Sequence, residues 1–497
     1  MKVLLAGYNL DAEVIDALKR RSPGRADVTP ETMSAAYARI SRDPRPVDEL
    51  RRAARDEVER ARRSNRTIIF KMGHHSVAEH AVFNFDVIGL SRLAVEELEH
   101  FRLCSFTEKS QRYIALKDDY VRPPEIRRSG SERLFVETVK AQNRLYRSLL
   151  KRLKPYFFEK FKARAADPGN HALLEGWAKE DARYAVCLAT EGQLGMTANA
   201  RNLELMVRRF GASDLAEVRE LGSRLLALAR EVAPSIIIFT AAGNLEAGTS
   251  ADMANKAAAL VTKPRRSRLE KSVQLIDATA EGDEKILAAL LHSASGAPWT
   301  ACRTSVRRFG ASRKTAVMKA ALGRLEFFDS PPREFEYAGL TYELVLSSSC
   351  FAQLKRHRMA SLTVQPYDPG LGVTVPPSIE ASGCGREFRD MIDRTNEVHS
   401  RLRKQVGRAA DYILTNAHRR RVLLGINLRE LYHLSRLRED LTAQWEIRRL
   451  SGEMTRLARR AFPLAGMLLG GKDAFPALYQ RIFGREPRFT PPGFWKQ

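Results

Sequence analysis

The sequence predicts a helix-rich α+β protein made of two tandem copies of one domain, each a small sheet packed with helices. Three observations predict it. Residues 1–122 alternate short apolar stretches with charged amphipathic ones. Residues 131–165 carry the period of a helix, with Phe135, Val139, Tyr146 and Leu149 on one side. Four landmarks then recur in one order in the two halves. LEHFRLCS at 98–105 answers LKRHRMAS at 354–361. Each lies before a Pro-Pro pair, Pro123-Pro124 and Pro376-Pro377. An Asn-x-Arg follows each, at Asn199–Arg201 and Asn427–Arg429, and a further helical segment comes after both.

The elements fall in order from these marks. Candidate strands are residues 3–6, 67–70 and 81–87, and helical patterns run on through 171–232. Residues 241–270 are rich in Gly, Ala and Ser and then basic, which reads as a partly helical connection. A second α+β pattern begins near Ser272 with VQLID. The expected domains are therefore 1–240 and 271–497, joined by 241–270.

Composition narrows the class. With 497 residues the chain has ample material for buried cores. No apolar run reaches the roughly 18 residues of a bilayer span; a stretch such as 236–242 has the length of a core strand. The N-terminal MKVLLAGYNLDAE meets acid at once, so it reads as a first strand and not as a signal peptide. The five cysteines form no C-x-x-C pair, which speaks against a disulfide framework and a zinc site. The expectation is a cytoplasmic protein. The net charge of +24 suits either nucleic acid or a cavity that gathers anionic nucleotides, folates and flavin phosphates. The basic residues are dispersed through segments such as 48–63, with few tight clusters (263–268 and 419–421), and the motifs that follow lower the nucleic-acid reading.

Several positions have the right chemistry for a site. Arg356-His357-Arg358 ends the apolar segment 342–354 and could grip a phosphate or an electron-rich ring; a solvated basic cap is the plainer alternative. Asn427, Leu431, Leu434 and Arg438 share one helical stripe, which sets an Asn and an Arg around an apolar band. A buried Arg needs a ligand or an internal acid, for which Glu446 is a candidate. In FTEKSQRY at 106–113, an extended chain would point Glu108, Ser110 and Arg112 to one face, as a nucleotide site or as the polar face of an edge strand. His75 and Glu79 stand at helical spacing without the order of a zinc peptidase, so no metal is expected.

Taken together, these motifs resemble the flavin-dependent thymidylate synthases (ThyX). Arg356, His357, Arg358 and Ser361 match the start of that family's R-H-R-x-x-S signature, Gln353 matches the Gln three residues before it, and residues 427–450 look like its C-terminal signature. The first half supplies the complement. Ser105, Glu108, Ser110, Arg112 and Tyr113 fit the second portion of the motif; GHHSVAEHAVFNF at 73–85 resembles the flavin-side segment; Glu180 and Arg183 resemble the E-x-A-R helix. The departures are divided between the copies. His100 and Phe101 stand where the first copy should have Arg-His, and Glu97 where it should have Gln. Val364, Pro366, Asp368 and Asp411 stand where the second should have Glu, Ser, Arg and Arg.

The resemblance implies one composite site. Glu108, Ser110, Arg112 and Arg183 would join Gln353, Arg356 and Arg438 around dUMP, with Arg438 and Ser110 the catalytic candidates. FAD would lie among His74, Ser76 and Glu79 of one copy and Arg356, His357, Arg358, Asn427, Arg429 and His433 of the other. NADPH and methylenetetrahydrofolate would be co-substrates in the reductive methylation of dUMP, and the reciprocal pairing would be dead. Two chains would form a homodimer with the layout of a pseudo-tetramer. The competing readings are another flavin- or folate-dependent pyrimidine modification and a non-catalytic basic protein that binds nucleic acid.

Overall fold

A computed structural model describes residues 1–11, 14–16, 18, 29–39, 45–56, 58–65, 75–112, 114–116, 118–262 and 271–490. The candidate strand 67–70, the basic cluster 263–268, His74 and Tyr113 lie outside the described residues. The chain divides into two compact units, Met1–Arg265 with Pro376–Asn416, and Arg266–Val375 with Ala417–Gln497.

The first unit holds a four-stranded antiparallel sheet of order β1-β2-β4-β3. Its strands are β1 (Lys2–Tyr8), β2 (Val82–Ser91), β3 (Ser105–Glu108) and β4 (Glu191–Asn199). The alternation of side chains along a strand sets its two faces. Phe83, Phe85 and Val87 of β2 and Leu194, Met196 and Ala198 of β4 are buried, while Asp86 and Gln193 face outward. The second unit repeats this order as β5-β6-β8-β7. Its strands are β5 (Val273–Ala278), β6 (Gly339–Ser347), β7 (Ser361–Val364) and β8 (Arg419–Asn427). Its core takes Leu340, Tyr342 and Leu344 from β6 and Val422, Leu424 and Ile426 from β8. Two sheets of one topology, one in each half of the chain, are what a duplicated α+β domain gives.

Two sequence expectations need correction. The helical reading of 171–232 misses β4, one of the two inner strands of its sheet. Gly192 and Gly195 weaken a helix there, and pairing with both β2 and β3 supplies what local propensity does not. The apolar run 236–242 is not a strand: it is irregular chain whose Ile238 and Phe239 amides donate to Glu204 at 2.8 and 3.0 Å. Of the 241–270 connection, Asn244–Leu260 forms a helix.

Within the first unit the repeat is also visible as pairing. The Glu132–Lys160 helix, with Phe135, Val139, Tyr146 and Leu149 all buried, packs against the Gly385–Val406 helix. Gln142 Nε2 donates to Thr395 Oγ1 at 2.9 Å, its own counterpart in the register of the two Pro-Pro pairs. Ser131 reaches Gln405, and Arg152 reaches Cys384, a contact that is the mirror of the first in that register. At Cys187 and Thr415 two short segments meet antiparallel, Leu188 N donating to Leu414 O and Asn416 N to Val186 O.

Candidate active site

In the first unit, the strand that should present a nucleotide-binding face ends early. β3 stops at Glu108, and Ser110 and Arg112 lie in the turn beyond it, where Ser110 Oγ accepts from Arg112 N at 3.2 Å. Side-chain alternation therefore does not place these two; the turn does. Glu108 lines an open concavity of about 460 Å³ with Asp86, Ile88, Thr107, Lys109, Gln193, Leu194 and Gly195. Arg112 turns to Glu180, its Nε donating to Oε2 at 2.5 Å.

Arg183 follows the His171–Ala182 helix and is 6% exposed. Its carbonyl accepts from Asn416 Nδ2, its Nε donates to the Glu180 carbonyl at 3.3 Å, and its buried Nη2 has no hydrogen-bond partner. Burial pushes this guanidinium below its usual value; Glu180 opposes the shift, and the positive charges of Arg112 and Arg92 add to it. Two neighbouring arginines add to the cost of burying Arg183, whose unmade donor is open to an anion. Arg92 is a member that sequence reasoning missed; its only signal is a basic residue inside an otherwise apolar run. Ser76 and Glu79 lie in the short 3-10 helix His75–His80, Ser76 exposed and Glu79 paired with Arg201 at 2.5 Å.

In the second unit the motif residues come together at the end of the short helix Ser348–Leu354, whose N-cap is Ser347. Arg356 and Arg358 are exposed, and His357 between them is 2% exposed. Arg438, at the last position of the Leu428–Arg438 helix, donates from Nε to His357 Nε2 at 2.9 Å. His433 is exposed on the same helix, its ring 5.7 Å from that of His357. Burial lowers the His357 pKa, and the Arg438 charge lowers it further against the pull of Glu430. Gln353 is buried with neither amide atom hydrogen-bonded. Asn427 is the helix N-cap, its Oδ1 accepting from Glu430 N at 2.8 Å. Arg429 donates to the Pro331 carbonyl at 2.8 Å and pairs with Glu336. The Glu446 carboxylate accepts from Ser347 N, Ser347 Oγ and Thr374 Oγ1.

The equivalent positions of the first copy have been refilled. Phe101 stands for His357, and Phe210, at the same distance from Asn199 as Arg438 from Asn427, stands for Arg438. The two phenylalanines are buried and meet edge to face at 5.6 Å. Glu97, in the place of Gln353, pairs with Arg408. Asp411, in the place of Arg183, accepts from His399 Nε2 at 2.9 Å and lies 3.5 Å from Arg403. No cluster of candidate metal ligands occurs among the described residues. No described helix is long and apolar enough to cross a membrane.

The model of the Thy1 family, described as "thymidylate synthase complementing protein", matches residues 26–235 and again 274–464. A flavin-dependent thymidylate synthase of Clostridium tetani is 30% identical over 215 residues, covering 42% of this chain and 82% of its own. A Chlamydia muridarum protein described as "UPF0159 protein" is 22% identical over 417 residues, 80% of this chain and 79% of its own. Among solved structures, the Helicobacter pylori flavin-dependent thymidylate synthase, complexed with FAD and dUMP, aligns with 46% of this chain and 93% of its own at 17% identity and a TM-score of 0.31. Two successive matches to one family model, spanning most of the chain, show that this protein belongs to the Thy1 (ThyX) family in a two-copy form.

Proposed function

We propose that the protein is a flavin-dependent thymidylate synthase, methylating dUMP to dTMP with methylenetetrahydrofolate and NADPH, and that each copy supplies half of the machinery. One observation carries this reading. Where the first copy keeps a buried arginine with an unmade donor, the second has an aspartate bound by its own histidine. Where the second keeps a histidine–arginine pair, the first has two packed phenylalanines.

The residues fit the groups they would hold. Arg183 and Arg112 offer guanidinium donors suited to a phosphate, and Gln353 offers a buried amide suited to the edge of a pyrimidine. Exposed Arg356, Arg358 and His433 are suited to the anionic and ring parts of FAD, together with Ser76, Glu79, Asn427 and Arg429. Bound FAD, reduced by NADPH, supplies hydride chemistry. The chain's own part is positioning and polarisation. Arg438, held by His357, would stabilise negative charge developing at the uracil carbonyl, and a preoriented guanidinium does so without reorganising. Ser110 would bind or polarise the base from its turn beside Arg112. The working assembly would be a homodimer, which light scattering on the purified protein reads directly.

The test is a visible spectrum of the purified protein followed by dUMP titration. A flavin spectrum that dUMP perturbs, saturating at about one dUMP per chain, supports the composite site. Saturation at two per chain would overturn the division between copies. A colourless protein that FAD cannot reconstitute, with steep salt-dependent binding to DNA or RNA, would replace the reading with a nucleic-acid-binding one.

A further inference from the structure

The contact between Arg438 and His357 constrains the imidazole. A guanidinium has only donors, so His357 Nε2 must present its lone pair to Arg438 Nε. In the neutral ring the proton is then on Nδ1. That nitrogen is buried without a formed hydrogen bond, and a carboxylate oxygen of Glu430, itself 9% exposed at the side chain, lies 3.5 Å from it. Glu430 is in the first turn of the Leu428–Arg438 helix, its amide fixed by the Asn427 cap, and Arg438 ends the same helix. The carboxylate and the guanidinium therefore sit at opposite ends of one rigid rod and converge on the two nitrogens of one ring.

The first copy supplies an internal control. The residue three beyond its Asn cap is Asn202, which turns back to donate to Asn199 Oδ1 at 2.8 Å. There the His357 and Arg438 positions are Phe101 and Phe210, and no ring proton has to be placed. The acid is absent from the copy that lacks the pair it would serve.

We infer that Glu430 is a positioning residue: it fixes the Nδ1–H tautomer of His357 and so holds Arg438 aimed at the substrate. The aim toward substrate rests on the proposed synthase reading; the tautomer does not. The carboxylate acts through the ring, so its loss should affect the transition state more than ground-state binding.

The experiment uses the full-length protein labelled with ¹⁵N-histidine, with the His357 signals identified by their loss in His357→Gln. Long-range ¹H–¹⁵N correlation at pH 7.5 should show His357 protonated on Nδ1. Glu430→Ala should give a tautomer mixture or the Nε2–H form, and Glu430→Gln, which keeps an acceptor oxygen, should hold the native tautomer. In turnover with dUMP, Glu430→Ala should lower kcat at least 10-fold with KM for dUMP changed less than 3-fold, and Glu430→Gln should recover much of that loss. If Glu430→Ala does not fold, as judged by circular dichroism, the wild-type and Glu430→Gln spectra still decide. A wild-type His357 protonated on Nε2, or a tautomer and kcat indifferent to Glu430→Ala, would overturn the inference. Absence of turnover in the wild type, with the tautomer responding as stated, would instead overturn the synthase reading alone.

Discussion

Arg438 and His357 are 81 positions apart and joined by a 2.9 Å hydrogen bond from Nε to Nε2. The arginine is half-buried and the histidine almost wholly buried, so the charged group reaches the surface of its unit from a fixed base. Arg438→Ala should abolish dTMP formation, lowering kcat by at least 10³-fold, on the scale of other charge-stabilising donors. Bound flavin, read from the visible spectrum, should stay within about 20% of the wild-type amount, since charge stabilisation and flavin retention draw on different contacts. Retained turnover would remove Arg438 from the catalytic role.

Arg183 presents the other half of the argument. Its buried Nη2 lacks a partner, and its pKa is held down by burial. An anion there would satisfy the donor and relieve the crowding with Arg112 and Arg92. Arg183→Ala should weaken dUMP by about 10- to 100-fold, the range of a lost charge-assisted hydrogen bond. Deoxyuridine, which lacks the phosphate, should bind the two proteins alike. Equal dUMP affinity in wild type and variant, measured by flavin perturbation, would separate Arg183 from the phosphate.

The refilled positions of the first copy predict stability without activity. Phe210 packs on Phe101 and over Gly222, where even a Cβ would come within 2.9 Å of it. Phe210→Ala should cost about 3–5 kcal/mol in urea unfolding, the usual range for a buried phenylalanine. The kcat of the folded variant should change less than twofold. Asp411→Arg, which writes the family's residue back, should not raise dUMP stoichiometry above about one per chain. It would replace the carboxylate that accepts from His399 and faces Arg403 with a guanidinium.

A pH dependence follows from His357. Among the described residues, Glu430, Arg438 and His433 face it. Burial holds its folded pKa below the ordinary histidine value of about 6.5. As pH falls through that ordinary value, the unfolded chain takes up a proton that the folded ring resists. Stability is therefore complete above this range and declines below it, until the lowered folded value is reached. Between pH 7.5 and 5.5 the wild type should lose more unfolding free energy than His357→Gln, by the equivalent of up to about one proton. Protonation of the folded ring removes the lone pair that Arg438 uses, so kcat should fall only below that window, at the lowered folded value. Parallel stability curves for the two proteins would show that His357 does not titrate in this way.

The sequence by itself carried the duplication, the family signatures and the identity of most candidate residues. Repeated landmarks and local strings such as Arg356-His357-Arg358 need no third dimension to be read. Strands β1 and β2 were legible because their apolar stretches are short and bounded. Strand β4 was not, because its glycine-rich segment becomes a strand only through pairing on both sides. The turn that ends β3 at Glu108 was hidden for a related reason: a strand pattern can continue in sequence after the chain has left the sheet. Tertiary structure alone decided that Pro376–Asn416, which follows the second copy's motif in sequence, is part of the first compact unit. It alone brought Glu430, His357 and Arg438 to one ring. Both depend on contacts between residues far apart in the chain, and the free energy of such contacts comes from burial and hydrogen-bond geometry that no local pattern encodes.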